Sequence, residues 1–299
     1  SYANNRTFNL FYSNIIILVL ANMAIFGSLI YLFTKENKWA RISILPFIMA
    51  VFLGSSTEGS WIKEVMDFSP VPWMYKFYYL KYLFIIIPGS IAGDFLKEWL
   101  GSRTDIPRKQ TEINRTPFIL LLAIGIIVFN LYGLYMRYLV FNLIGTIILL
   151  TILYQLLKIE GNNAAYWRRL FTVGAYLLML GLFFEAYEGG IRKDHSTYSY
   201  YFVTSGLAFM AMLLFSILCD IYRWKKLVLP LEKAGQNPMI AYVAPQLVVM
   251  PLLHITGLAD YLSLLNQNAW LGFARGVIVT TLSVLIAIGF TQIRWFWRT

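Results

Sequence analysis

Residues 117–157 are PFILLLAIGIIVFNLYGLYMRYLVFNLIGTIILLTILYQLL, and Arg137 is the single charged residue among them. A helix needs about 20 mostly apolar residues to cross a bilayer, because each backbone N–H and C=O must be satisfied inside the segment. This stretch is long enough for two such helices, with Arg137 at the turn between them. It therefore predicts two consecutive membrane spans, at roughly 117–136 and 138–157.

The rest of the chain has the same character. Of its 299 residues 59% are hydrophobic and 13% are charged, whereas about a quarter of a soluble domain is charged. We predict an all-α protein, a polytopic transmembrane helix bundle, that forms a single transmembrane domain over residues 1–299. We expect about nine spans, at roughly 10–34, 39–54, 77–99, 117–136, 138–157, 168–187, 199–222, 236–255 and 270–292. The second is short and contains Pro46, so it is expected to be tilted, kinked or re-entrant.

The distribution of Lys and Arg predicts the orientation of the chain. Cytoplasmic loops are enriched in these residues, and most of the 25 basic residues fall on one side when the connection after the first span is placed inside. We therefore expect the N-terminal end outside and the C-terminal end in the cytoplasm. The net charge of +10 is spread over short loops rather than one face. This pattern favours a lipid bilayer over nucleic acid as the partner.

Several kinds of chemistry lack their usual signals. The chain has one cysteine, Cys219, and two histidines, His195 and His254, so we expect no metal site. No Walker loop, no Gly-x-Gly-x-x-Gly opening a helix, no Gly-x-Ser-x-Gly elbow and no His-Glu-x-x-His is present. ATP hydrolysis, dinucleotide chemistry and zinc proteolysis therefore lose their usual support.

One group of polar residues lies near the outer end of the sixth predicted span. Glu185 and Glu188 are three residues apart, which puts both carboxylates on one helical face. They could act as acid or base, or bind a cationic or hydroxylated substrate. Lys193 and His195 follow in the next loop after a Gly-Gly turn. The alternative is an ordinary solvated interfacial loop with local ion pairs.

His254 lies near the outer end of the eighth predicted span, after Pro245 and Pro251. A neutral imidazole is the usual general base near pH 7. The alternative is a histidine that is hydrogen-bonded at the level of the lipid headgroups.

The third predicted span contains Gly89, Gly93 and Asp94. The two glycines form a small-xxx-small pair, which predicts the close approach of another helix or of a ligand. We expect Asp94 to cap its helix or to meet the basic inner loop.

The segment Gly235-Gln236-Asn237-Pro238 opens the eighth predicted span on the inner side. Asn suits the N-cap position and Pro the first helical position, which explains the motif structurally. Alternatively the segment, flanked by Lys225 and Lys226, receives a phosphate group from the cytoplasm.

Three stretches together resemble the bacterial DUF5009 and YeiB-like relatives of heparan-alpha-glucosaminide N-acetyltransferase, a membrane acyltransferase-like group. They are YLKYLFIIIPGSIAGD at 79–94, GIRKDHSTYSYY at 190–201 and GQNPMIAYV at 235–243, of which the middle one is the most specific. The resemblance implies transfer of an acetyl group from cytoplasmic acetyl-CoA to an amine or hydroxyl of a saccharide on the opposite face. It also implies location in a bacterial inner membrane.

The resemblance also implies roles for the polar residues. Glu185, Glu188, Lys193 and His195 would bind the saccharide acceptor, and Gly235, Asn237, Lys225 and Lys226 would bind acetyl-CoA as co-substrate. Proteins of this group have an N-terminal part that opens on Asp-x-x-Arg-Gly and carries the histidine assigned to acetyl transfer. Neither has a match here, so we expect the chain to be the C-terminal part of such a protein and the missing N-terminal part to be a partner. His254 would then be the substitute base, and a homodimer is possible.

Two rival hypotheses belong to other classes. A transporter or flippase for a glycan or lipid-linked sugar would use the same carboxylates and broken helices without making bonds. A non-catalytic membrane scaffold would need these residues for stability alone.

Overall fold

The structure is a computed structural model that describes residues 15–71, 74–102, 110–158, 162–193 and 196–297. Every regular element within these ranges is helical, which confirms the predicted all-α class. The chain divides into two compact units, Ser1–Ile217 and Leu218–Thr299, and each is described by itself. The single-domain organisation stays a prediction.

The helices of the first unit are α1 (Ile15–Thr34), α2 (Lys38–Gly54), α3 (Ile62–Asp67), α4 (Leu83–Gly101), α5 (Gln110–Tyr135), α6 (Leu139–Leu156), α7 (Asn162–Glu188) and α8 (Tyr198–Ser216). A 3-10 helix, Phe77–Tyr82, leads directly into α4, and a π-helical segment, Ile217–Ile221, follows α8. The helices of the second unit are α9 (Lys225–Gly235), α10 (Pro238–Ala244), α11 (Met250–Ile255), α12 (Leu258–Leu264) and α13 (Ala269–Gln292). A second π-helical segment, Pro245–Val249, joins α10 to α11.

Seven helical segments are long and apolar enough to cross a membrane, which is consistent with an integral membrane protein. They are Phe77–Gly101, Asn114–Tyr135, Leu139–Leu156, Asn163–Glu188, Tyr198–Ile221, Pro238–Ile255 and Trp270–Gln292. Each overlaps one of the predicted spans.

The predicted count of about nine is not confirmed. The apolar part of α1, Leu18–Thr34, is shorter than a full span, and residues 10–14 of the first predicted span lie outside the described residues. The second predicted span corresponds to α2, which has 17 residues and contains Pro46.

Side-chain caps fix where several helices begin. The Asn37 side chain accepts hydrogen bonds from the N–H groups of Trp39 and Ala40 at the start of α2. Thr197 caps α8 and Asn268 caps α13 in the same way. Such caps satisfy N–H groups that have no partner inside the helix.

Glycines bring the backbones of α7 and α8 into direct contact. A Cβ atom added to Gly206 would lie 2.6 Å from the Leu178 nitrogen, and one added to Gly181 would lie 2.6 Å from the Val203 nitrogen. Close approach through small residues is the usual way in which membrane helices pack, because lipid provides no hydrophobic drive for their association.

The predicted close approach at Gly89 and Gly93 is not found within the described part of the chain. A Cβ atom added to either glycine would meet nothing within 4 Å. In the first unit, close backbone contact through glycines is found between α7 and α8 and not at the two glycines of α4.

Asp94 forms a buried ion pair with Arg41, which joins α4 to α2. The fully buried Arg41 guanidinium donates to Asp94 Oδ2 at 2.8 Å, to Ser90 Oγ at 3.0 Å and to Thr34 Oγ1 at 3.2 Å. Tyr31 donates to the other carboxylate oxygen of Asp94 at 3.0 Å. A buried charge pair is stable only when its remaining polar atoms are also bonded, and this cluster meets that condition. Asp94 therefore pairs with Arg41, which lies within the second predicted span and not in a loop.

Replacing Gly206 by alanine should destabilise the protein. The new methyl group would meet the backbone of Leu178, which cannot turn aside as a side chain can, so the expected cost is about 1–3 kcal/mol. The control is Gly93→Ala, where the methyl group enters open space and the better helix propensity of alanine keeps stability equal or slightly higher. Thermal unfolding in one detergent compares the two variants. Equal melting temperatures would contradict the backbone contact.

Candidate functional site

The loop at residues 189–197 joins α7 to α8 and is closed by contacts across its ends. Glu188 accepts hydrogen bonds from the N–H groups of Tyr198 and Ser199, both at 2.8 Å. This places a carboxylate at the N-terminus of α8, where the helix dipole favours negative charge. Thr197 N–H donates to the Arg192 carbonyl at 3.1 Å, and Thr197 Oγ1 accepts from Arg192 N–H at 3.1 Å.

The loop begins with the turn that the Gly-Gly pair predicts. Gly189 has φ 66° and Gly190 has φ 148°, conformations that glycine adopts without the steric cost that a Cβ atom would bring. Beyond this turn Arg192 and Lys193 are exposed, while residues 194 and 195 lie outside the described part of the chain.

Glu185 is almost completely buried, and its partner is Arg137. The Arg137 guanidinium also donates to the Gly189 carbonyl at 3.4 Å, so the same side chain contacts α7 and the start of the loop. Half of the Arg137 side chain remains exposed. Glu185 therefore neutralises a cation that enters from the turn between α5 and α6.

Arg137 has a backbone conformation that is unusual for a residue other than glycine. Its φ is 61°, and the Tyr138 N–H donates to the Gly133 carbonyl at 2.9 Å, which closes the end of α5. Glycine is the residue usually found at this position in such a helix ending. Among the described residues, the non-glycine residues with positive φ are Arg137, Arg223 and Arg294, and each follows a helical segment.

Lys81 approaches the loop from the 3-10 helix before α4. Its ammonium group donates to the Ser196 carbonyl and lies 4.8 Å from the centre of the Tyr198 ring and 5.4 Å from that of Phe52. The Ser196 hydroxyl is hydrogen-bonded to the Tyr201 hydroxyl at 2.5 Å and to the Tyr78 hydroxyl at 3.3 Å. Lys81 and these hydroxyls thus form a continuous polar cluster.

The predicted acceptor residues divide into three kinds. Glu185 and Glu188 are close in the chain, but each carboxylate is engaged by its own protein partner, Arg137 for Glu185 and two backbone N–H groups for Glu188. Lys193 is exposed on the loop, and His195 lies outside the described residues. Of these, Lys193 is the described side chain most open to a ligand.

Two residues of this region were not predicted as site residues, although the sequence contained a signal for each. Arg137 is the lone charge in the apolar stretch 117–157, and Lys81 lies in the first of the three stretches that carry the family resemblance. Reasoning from sequence assigned Arg137 only to a turn, because its partner Glu185 lies 48 positions away.

In the second unit, the side chain of Asn237, a predicted cofactor residue, makes other hydrogen bonds than the predicted ones. Asn237 is fully buried and occupies the N-cap position of α10, but its side chain makes no capping bond there. Instead its amide donates to the Trp295 carbonyl at 2.7 Å, and its side-chain oxygen accepts from the Trp297 N–H at 3.2 Å. The expected side-chain N-cap is therefore wrong, and Asn237 anchors the segment that follows α13.

The remaining predicted residues of this unit are open. Gly235 is exposed, and a Cβ atom there would meet nothing within 4 Å. Lys226 is exposed, and the side chain of Lys225 lies outside the described part. His254 is exposed in the last turn of α11.

An apolar cavity of about 390 Å³ lies beside α10 and α13. Its walls include Ile240, Ala244, Phe290, Trp295 and Trp297. None of the four predicted cofactor residues lines it.

Removing the Arg137 side chain should destabilise the protein even though it relieves the backbone. Arg137→Gly leaves the buried Glu185 carboxylate without its cation, at an expected cost of about 1–3 kcal/mol. The matched control is Arg294→Gly, which relieves the same left-handed conformation at an exposed residue and should leave stability equal or higher. Thermal unfolding measures both.

A double-mutant cycle isolates the pair. Arg137→Gly should reduce the free energy of unfolding less in a Glu185→Gln background than in the unmodified protein. The neutral glutamine side chain leaves no buried charge without a partner. An identical cost in the two backgrounds would refute the energetic coupling of Arg137 to Glu185.

Comparison with known proteins gives one match. Residues 1–96 match the family model described as Domain of unknown function (DUF5009). A search of the curated proteins found no match, and a search of the solved structures found none either. The resemblance to DUF5009 proteins, a family of unknown function, is therefore confirmed over residues 1–96.

Proposed function

We propose that this protein is a membrane acyltransferase-like protein that transfers an acetyl group from cytoplasmic acetyl-CoA to an amine or hydroxyl of a saccharide on the opposite face. The match of residues 1–96 to the DUF5009 model is compatible with the resemblance to the relatives of heparan-alpha-glucosaminide N-acetyltransferase, which is the source of the acetyl-CoA hypothesis. The same proposal includes a bacterial inner membrane, an outer N-terminal end, a cytoplasmic C-terminal end and the N-terminal part of such proteins as a partner. A homodimer is compatible with it.

The observation that supports this proposal most is the construction of the loop 189–197. Glu188, Thr197, Lys81 and Arg137 bond to backbone groups of the loop or of the residues directly after it, while Arg192 and Lys193 stay exposed. This combination suits a recognition loop, because a backbone that is held in advance loses less entropy when a ligand binds. Glu185 and Glu188 then act as supports of the acceptor site rather than as its acid and base.

The proposed reaction needs a base and a leaving group. The amine or hydroxyl of the acceptor attacks the thioester carbonyl of acetyl-CoA, the carbon–sulfur bond breaks, and coenzyme A leaves as the thiol. A base takes the proton that the acceptor loses. His254 is the candidate base of this chain, since its imidazole is exposed and its residue type suits the task.

Acetyl-CoA carries phosphate groups, and the residues of the second unit fit it in part. Lys225 and Lys226, at the start of α9, would supply positive charge, and Gly235 would let a ligand approach the backbone. The side chain of Asn237 does not fit, because both of its polar atoms are bonded to the segment after α13.

Transfer of radiolabelled acetyl groups to an amino sugar tests the activity. With the full-length protein in proteoliposomes, we expect transfer that depends on acetyl-CoA and falls by at least about tenfold in Lys193→Ala, since a charged hydrogen bond to the acceptor is lost. The control is Lys63→Ala, another exposed lysine, on the short helix α3, which should leave the rate unchanged. No transfer by the unmodified protein to any amino sugar tested would contradict the proposal.

The donor site has its own test. Titration calorimetry should show acetyl-CoA binding that weakens by at least about tenfold in the double variant Lys225→Ala, Lys226→Ala, because each lysine would contribute a charge-assisted contact to phosphate. The matched control is Lys233→Ala, at the opposite end of the same helix. Unchanged affinity in the double variant would overturn the assignment of the donor to α9.

One observation favours the transporter or flippase alternative. The helix over 238–255 is interrupted by the π-helical segment Pro245–Val249, and broken helices are common where transporters bind substrates. Movement of a glycan across proteoliposomes without any need for acetyl-CoA would support that alternative.

A further inference from the structure

No described carboxylate forms an ion pair with the ammonium group of Lys81, although Glu188 interacts favourably with its charge from a greater distance. Both oxygens of Glu188 accept backbone N–H groups of α8, and Glu185 is paired with Arg137. Among the described residues no carboxylate lies within ion-pair distance of Lys81. Because Lys81 is partly buried between the rings of Phe52 and Tyr198, water compensates this charge less well than at an open surface.

Lys81 also has hydrogen-bond capacity to spare. A lysine ammonium has three donors, and its bond to the Ser196 carbonyl uses one of them. The faces of the Phe52 and Tyr198 rings are only weak hydrogen-bond acceptors. Two N–H groups of Lys81 therefore have no hydrogen-bond partner among the described residues.

The neighbouring hydroxyls supply one more donor. Tyr78, Ser196 and Tyr201 have three hydroxyl protons but only two mutual hydrogen bonds. Tyr201 is fully buried, so its proton is best used in a bond to Ser196, because a buried donor without a partner is costly. Ser196 then donates to Tyr78, and the Tyr78 proton is left over at the half-exposed end of the chain.

We infer that Lys81 and Tyr78 form a binding site for an oxyanion, the carboxylate or phosphate group of an acidic saccharide. The ammonium group contributes charge and two N–H donors, and the Tyr78 hydroxyl contributes a third donor. Oxyanions with several acceptor oxygens suit convergent donors of this kind. Ser196 positions both groups, since its carbonyl accepts from Lys81 and its hydroxyl is hydrogen-bonded to that of Tyr78.

The saccharide half of this inference rests on the proposed function, whereas the oxyanion half rests on Lys81 and Tyr78 alone. If the protein transfers acetyl groups to a sugar, this site selects acceptors that carry a uronic acid or a phosphate. Lys193 on the same loop would then contact another part of the acceptor.

The test is a calorimetric titration of the full-length protein in nanodiscs of phosphatidylcholine, with no acetyl-CoA present. The probes are glucuronate, glucose 1-phosphate, inorganic phosphate and uncharged glucose. We expect glucuronate and glucose 1-phosphate to bind at least about tenfold more tightly than glucose. Because no acetyl-CoA is used, this outcome is independent of whether acetyl transfer occurs.

Variants separate the site from the fold. Lys81→Met keeps an unbranched apolar side chain of similar length and should weaken anion binding by at least about tenfold, and Tyr78→Phe should weaken it by about threefold to tenfold. Lys63→Met and Tyr176→Phe are the matched controls. Lys63 is exposed on α3 and Tyr176 is exposed on α7, so neither change should alter binding.

Several outcomes would overturn the inference. The oxyanion site would be refuted if glucose and glucuronate bound with equal affinity. It would also be refuted if Lys81→Met left anion binding unchanged. If Lys81→Met does not fold, unchanged binding in Tyr78→Phe serves the same purpose. Equal affinity for inorganic phosphate and glucose 1-phosphate would show that the site does not recognise the saccharide part of the ligand. Loss of glucuronate binding in nanodiscs that contain phosphatidylglycerol would instead identify a lipid headgroup as the occupant.

Discussion

The backbone contact between α7 and α8 at Gly181 and Gly206 is the interaction on which the candidate site depends. It holds the end of one helix close to the start of the next, so that Glu188 on α7 reaches the first N–H groups of α8. The loop 189–197 is then a short closed segment rather than a free connection. Everything proposed for Lys81, Lys193 and Arg137 presupposes that the loop keeps this form.

Charge is the second constraint, because an ionised group among apolar helices requires a partner. The first unit meets it in two different ways. Arg41 and Asp94 satisfy one another inside a ring of hydroxyl groups, whereas Glu185 is buried and Arg137 remains half in solvent. The Arg41–Asp94 pair is buried within its hydrogen-bonded cluster, whereas the Arg137–Glu185 pair lies at the edge of the loop, where a ligand can approach Arg137.

The sequence predicts some of these features well and others not at all, for physical reasons. Apolar length is a local property, so seven of the predicted spans correspond to long apolar helices. The turn at Gly189 and Gly190 is local as well. Pairings such as Arg137 with Glu185 join positions that are far apart in the chain, and no pattern in one sequence specifies them. Asn237 shows the same limit, since its N-cap position was predictable but its bond to Trp295 was not.

The ion pair of Arg41 with Asp94 bears on how the chain enters the membrane during synthesis. The two residues are 53 positions apart, so α2 emerges from the ribosome well before the helix that carries its counter-charge. Until α4 follows, a bilayer would have to accept an unneutralised guanidinium group, which is costly at membrane depth. Burial of the Arg41 guanidinium together with its carboxylate partner therefore becomes possible only after α4 has been synthesised.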